Sequence, residues 1–191
     1  MNKSKCADRM VGQVEKKVGS TEGAKGGGVF YFECYDKDGN LKWSDVAKNL
    51  VTNVGLQDMN SKYFKGSGYT AAWYLGLVNA SPSPTFAAAD TMASHAGWAE
   101  TTDYSGSNRA TVNFGTATTA NPSVIDNIAS QASFAITGTV TVAGAFLTAT
   151  QNKTTNTGIL FSVAAFESPG NRSVVNGDTL NVRYDFSLAD A

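Results

Sequence analysis

The chain has 191 residues and a mass of 20.0 kDa, enough to bury one core without disulfide staples or a structural metal. Charged residues make up only 16% of it, against the roughly 25% usual in soluble domains. Between Gly66 and Asn152 the charges are confined to Asp90, Glu100, Asp103, Arg109 and Asp126, which leaves little with which to do acid, base or metal chemistry and favours an assembly or binding protein over an enzyme, with no cofactor.

Two cysteines, Cys6 and Cys34, exclude a disulfide framework, and Cys34 alternates with Phe30 and Phe32 as a small buried hydrophobe would. No apolar run reaches the length of a membrane span and the N-terminus lacks the apolar segment of a secretory signal, so the chain reads as soluble and unprocessed, with no membrane partner.

Residues 1–27 carry six basic side chains, Lys3, Lys5, Arg9, Lys16, Lys17 and Lys25, against Asp8, Glu15 and Glu22, so a basic segment leads an acidic body. The run Gly26-Gly27-Gly28 marks the boundary, and residues 1–27 are expected to be a flexible arm ahead of one domain at 28–191. The field of that arm is too modest, and too poor in interleaved aromatics, for specific nucleic-acid recognition; an acidic protein neighbour suits it equally well.

Val29 to Tyr35 and Leu41 to Val51 flank Asp38-Gly39-Asn40, the pattern of a hairpin. From Asn53 to Phe64 the apolar positions Val54, Leu56, Met59, Tyr63 and Phe64 predict one short helix capped by Asn53. Ala71 to Val78 predicts a central strand, apolar on both sides. The proline-marked stretch from Asn79 to Gly97 predicts a long ordered loop.

Phe134, Ile136, Val140, Val142 and Phe146 alternate with Thr137, Thr139 and Thr141, which predicts a strand with one wet face. Ile159 to Phe166 reads as a buried strand. Leu180, Val182, Tyr184, Phe186 and Leu188 predict a second half-wet strand, with Asn176-Gly177 placed to turn it back onto residues 171–175. Half-wet strands belong to antiparallel sheets. The fold expected is mainly β, an antiparallel β-sandwich or jelly roll with one short helix and a flexible N-terminal arm.

The chemical motifs fail one by one. Asp36-Lys37-Asp38-Gly39-Asn40 begins like a calcium loop but lacks its glycine and glutamate spacing, so it reads as a turn. His95 is the only histidine, and no nucleophile elbow, zinc pair or phosphate loop accompanies it. Glu100 and Asp103 are the one close acidic pair in the charge-poor region and read as loop residues in solvated, capping or turn roles. No catalytic or metal site is therefore expected. Trp73 belongs to an apolar strand, whereas Trp98, beside Gly97, is the aromatic expected to stand exposed; the tyrosines at 63, 69, 74 and 104 could share a contact surface with it.

The segments Lys48-Asn49-Leu50-Val51-Thr52-Asn53-Val54-Gly55-Leu56, Trp73-Tyr74-Leu75-Gly76-Leu77 and Ala88 to Glu100 are similar to segments of structural proteins encoded by tailed bacteriophages and prophages. Val142-Ala143-Gly144-Ala145-Phe146-Leu147 and Gly177-Asp178-Thr179-Leu180 continue the resemblance, which covers residues 30–188, with Asp90 to Glu100 its most specific part. What it implies is a virion protein, most like a capsid decoration or cement protein on the capsid exterior, assembled in the host cytoplasm. Its partners would be the major capsid protein and itself, as a homodimer or homotrimer. On that reading Lys3, Lys5, Arg9, Lys16, Lys17 and Lys25 form a capsid-contact arm, with Trp98 as a further contact. A tail or head–tail adaptor component is the nearest alternative, and a carbohydrate-binding module is the alternative from another class.

Overall fold

The computed structural model describes residues 23–69, 72–167 and 170–190. Two antiparallel sheets face each other as a β-sandwich. The first joins β1 (Ala24–Tyr35), β2 (Leu41–Lys48) and β12 (Thr179–Asp190), with β7 (Ser123–Asp126) and β8 (Ala132–Ala135) sharing the other edge of β12. The second runs β3 (Leu50–Val51), β10 (Leu160–Ala165), β9 (Val140–Thr148), β4 (Trp73–Asn79) and β5 (Glu100–Thr101), with β6 (Ala110–Val112) also on β4 and β11 (Arg172–Val174) also on β9.

Period-two patterning builds the first sheet. Phe30, Phe32 and Cys34 of β1 and Leu180, Val182 and Tyr184 of β12 point inward and are fully buried, while their odd-numbered neighbours are half-exposed. Each such aromatic or aliphatic side chain contributes roughly 2 kcal/mol on burial. The expected hairpin forms between β1 and β2, and Asp36 ties its turn by accepting from the backbone N–H of Asn40 and of Asp38, each at 2.9 Å. Those bonds, Asn40's foremost, hold the Asp36 carboxyl below its usual range.

The boundary expected at residue 28 moves. β1 starts at Ala24, so Gly26, Gly27 and Gly28 are strand residues opposite Leu188, Ser187 and Phe186, and Lys25 sits exposed in the strand rather than on an arm. Glycine is needed at 28 by close approach, since a Cβ there would lie 2.6 Å from the Tyr184 hydroxyl. That hydroxyl accepts from Asn49 Nδ2 at 2.8 Å and lies 3.3 Å from Ser162 Oγ, linking the two sheets through the core.

The alternation from Phe134 to Phe146 is not one strand. β8 ends at Ala135 in the first sheet and β9 begins at Val140 in the second, with Gly138 in the crossing. A period of two records which face is buried and is blind to which sheet the strand joins. Nor does β9 keep a wet face: from Val142 to Thr148 every residue is buried. Residues 171–175 are also redirected, because β11 pairs with β9 and not with β12; Gly177, at φ 93°, turns the chain between sheets.

β4 is central, as its apolar faces predict. Leu75 and Leu77 enter the main core, while Val78 joins a second core on the outer side of that sheet with Phe146, Leu160, Val163, Met92 and Trp98. The long loop from Asn79 to Gly97 is the lid of this second core. Gly76 makes it possible: a Cβ at that position would lie 2.3 Å from the Phe146 ring.

Candidate functional site

The single described α-helix, α1 (Asn53–Lys65), begins where Thr52, not Asn53, caps it by accepting from Gly55 N–H at 3.1 Å. Gly55 presses on the backbone of Phe161 so closely that a Cβ would lie 2.5 Å from its carbonyl oxygen, which pins the first turn to β10. Gly66 closes the helix in the left-handed region at φ 65°, its N–H donating to Ser61. Pinned at its start, the helix leaves its last turn overhanging. Successive residues point about 100° apart, so with Met59 turned to the core, Tyr63 and Phe64 cannot both follow it.

They face out: Tyr63 is 84% exposed and Phe64 77%, stacked edge to face at 4.9 Å, with Tyr69 82% exposed just beyond. Together with Met59, Ala24 and Leu188 they line an apolar groove of about 540 Å³ at one end of the sandwich. Exposed aromatics gathered in one place mark a contact surface, because scattered single hydrophobics are the norm on a monomer. Of the tyrosines named from the sequence, Tyr63 and Tyr69 meet here. Tyr74 is half-buried in β4 and Tyr104 is buried. Phe64 was not singled out as a contact residue; its adjacency to Tyr63 on a helix was the available signal.

Trp98 is not exposed, contrary to the expectation. It is 4% accessible, packs on Phe146 at 5.1 Å and Phe86 at 6.1 Å, and donates from Nε1 to Asp90 at 3.0 Å. His95 stacks on it at 4.0 Å and its Nδ1 lies 3.1 Å from the Trp98 carbonyl. Burial removes Trp98 both as a contact and as a sugar platform.

An enzyme reading would require His95, Glu100 and Asp103 to converge, and two of the three, His95 and Glu100, line one cavity of about 230 Å³ with Trp98 and Arg109. Its carboxylate is already committed. Glu100 lies in β5 rather than a loop and accepts from Arg109 Nε and Nη2 at 2.8 Å each, and from the Thr154 N–H at 2.9 Å. Arg109 also donates from Nη1 to the Thr150 carbonyl at 2.8 Å and stacks over Phe146. With side chains 0% and 7% exposed, the pair is a buried, fully bonded strut and not a solvated acid. It also holds Thr154, whose φ of 60° is unusual for a non-glycine residue. Asp103 takes the local role expected, accepting from Thr101 Oγ1 at 2.8 Å, and is not among the residues lining the cavity.

Other buried charges are likewise tied. Asp178 accepts from Lys42 at 2.5 Å and from Val175 N–H at 2.9 Å, with Cys34 Sγ 3.8 Å away. Burial, then the Asp178 charge, pushes the Cys34 thiol up to about 11, which matches the small buried hydrophobe read from its strand position. Burial also raises Tyr104 and Tyr184. Among the described residues no group of three or more His, Cys, Asp or Glu side chains could hold a metal ion, and no helix is long and apolar enough to cross a membrane. Of the proposed arm, Lys3, Lys5, Arg9, Lys16 and Lys17 lie outside the described residues. Scans of protein-family models, curated proteins and solved structures each found no match to this chain.

Proposed function

We propose that this chain is a non-enzymatic bacteriophage structural protein that binds and stabilises the capsid as a decoration or cement protein. The observation that carries the reading is the exposed aromatic surface of Tyr63, Phe64 and Tyr69, which ends the sandwich beside the point where the basic N-terminal segment enters β1. Large aromatic side chains with few rotatable bonds are efficient anchors in protein contacts. A sandwich whose interior charges are bonded to one another makes a rigid carrier for them. Each copy can attach modestly, since a dimer or trimer engaging a repeated lattice multiplies its retention.

Asn60 and Lys62 also line the groove, but its surface is mainly that of Met59, Phe64, Leu188 and the two tyrosine rings, which favours the apolar side chains of a protein partner over a glycan. The test is co-sedimentation with undecorated shells assembled from the major capsid protein of the same genome. Saturable binding and a raised shell melting temperature are expected for the wild-type chain, and Phe64→Ala with Tyr63→Ala should remove both. Binding at the portal or tail alone would assign it to the head–tail adaptor class instead. Absence of any particle association, with glycan binding through Tyr63 and Tyr69, would replace the proposal with a carbohydrate-binding module.

A further inference from the structure

A cavity of about 250 Å³ opens between the two sheets, with Trp73, Leu147 and Phe161 of the second sheet and Ile125, Tyr184 and Phe186 of the first in its walls. Met59, Trp73, Phe114 and Ile125 pack on the main core yet stay half-buried, and all four line this cavity. Protein interiors are close-packed, with few voids larger than a water molecule, so a gap of this size in the flank of the core is a distinct feature of the fold. Gly26 helps to keep it. A Cβ there would lie 3.3 Å from the Phe186 ring and from Leu188, so β1 brings no side chain to that point of the inner face.

The walls state what the cavity can hold. No charged side chain lines it among the described residues, and the Tyr184 hydroxyl is committed to Asn49 Nδ2 at 2.8 Å and Ser162 Oγ at 3.3 Å. A water molecule needs about two to four polar partners, and an ion entering without a counter-charge would lose its hydration uncompensated. The aromatic walls meet at steep angles: Trp73 and Phe161 at 5.4 Å, Phe161 and Phe186 at 5.2 Å, Phe114 and Tyr184 at 6.3 Å. A flat ring continues such edge-to-face contacts, and it has no rotamer freedom to lose on binding, unlike an alkyl chain. An apolar cavity of about 150 Å³ takes up benzene, so one of about 250 Å³ has room for roughly ten non-hydrogen atoms.

We propose that this cavity is a binding site for a small, uncharged bicyclic aromatic molecule, of the size of indole or naphthalene. It is a different site from the aromatic groove, although Met59 and Tyr69 line both. The site belongs to the free chain, so it stands or falls independently of attachment to a shell.

The experiment titrates indole into the full-length protein. Saturable one-to-one binding is expected with a dissociation constant below about 1 mM, together with a melting temperature raised by about 2 °C or more at saturation. In methyl-labelled protein the largest shifts should fall on Met59, Ile125 and Leu147. Ile125→Phe and Met59→Phe, which place a ring in the cavity from two different elements, should each weaken binding about ten-fold or more. Val46→Phe adds the same ring on the exposed outer edge of the first sheet and should leave binding unchanged. Absence of saturable binding up to about 10 mM, or equal affinity in all four proteins, would overturn the proposal. So would shifts confined to the groove around Tyr63 and Phe64. The methyl map is read on the wild-type chain, so it decides the matter even where a filled variant fails to fold.

Discussion

Trp98 is the aromatic expected from the sequence to stand exposed, and Phe64 is expected only as an apolar helix position beside Tyr63, yet the fold buries the first and exposes the pair. Trp98 follows a glycine in an irregular loop and ends 4% exposed, whereas Tyr63 and Phe64 lie on a regular helix and end 84% and 77% exposed. The difference lies in what each segment is laid upon. The loop from Asn79 to Gly97 crosses the outer face of a sheet whose central strands, β4 and β9, are apolar on both sides, so Trp98 at its end joins a second core. The helix is held to β10 through its first turn at Gly55, and its last turn leaves Tyr63 and Phe64 at an open groove beside Ala24 and Leu188.

The comparison can be broken most forcefully from the buried side. Trp98→Ala removes a ring packed on Phe146, Phe86 and His95 and leaves Asp90 Oδ2 with the Ala87 N–H alone of its two donors, and should cost about 3–5 kcal/mol in chemical denaturation. A loss below about 1 kcal/mol would mean the loop is not a lid. Glu100→Gln leaves Arg109 buried without its counter-charge and should cost about 3 kcal/mol, accompanied by faster exchange around Thr154.

A smaller effect follows from Cys34. Its thiol is raised from 9.0 to about 11, so the folded chain keeps a proton that the unfolded chain loses. The contribution is complete below pH 9 and lost as pH rises through 11, which should make the wild-type protein lose about 1–2 kcal/mol more than Cys34→Ala between those limits. Equal slopes of stability against pH in the two proteins would contradict it. The smallest change in stability belongs to the exposed side. Tyr63→Ala and Phe64→Ala should each alter the unfolding free energy by less than about 0.5 kcal/mol while weakening shell attachment, separating contact from folding.

Much of the framework was legible in residue spacing. The β1–β2 hairpin, α1, the central β4, the buried β10 and the half-wet β12 all follow from alternation, turn chemistry and helical spacing. The Asp36 turn and the burial of Cys34 follow from the same rules. Three expectations failed for one reason. The continuous strand over 134–146, the pairing of 171–175 with β12 and the exposure of Trp98 each depend on which sheet a segment joins, and spacing along a chain carries no record of that. The glycine run at 26–28 misled differently. Its composition suits a linker, but Gly28 is there because Tyr184 and Asn49 occupy the space a side chain would need.

The candidate surface was half legible. Tyr63 and Tyr69 were recognisable as aromatic, but which tyrosines would gather and which would sink into the core was settled by the docking of α1. The order of residues by itself determined the antiparallel β class, the turns and the scarcity of acid–base groups, because these rest on local conformational preference and composition. Only the tertiary structure decided that Glu100 and Arg109 form a buried strut, that Trp98 closes a second core and that Tyr63 and Phe64 stand clear of it. Burial and pairing are properties of what lies opposite a residue, and what lies opposite is set by contacts far apart in the chain.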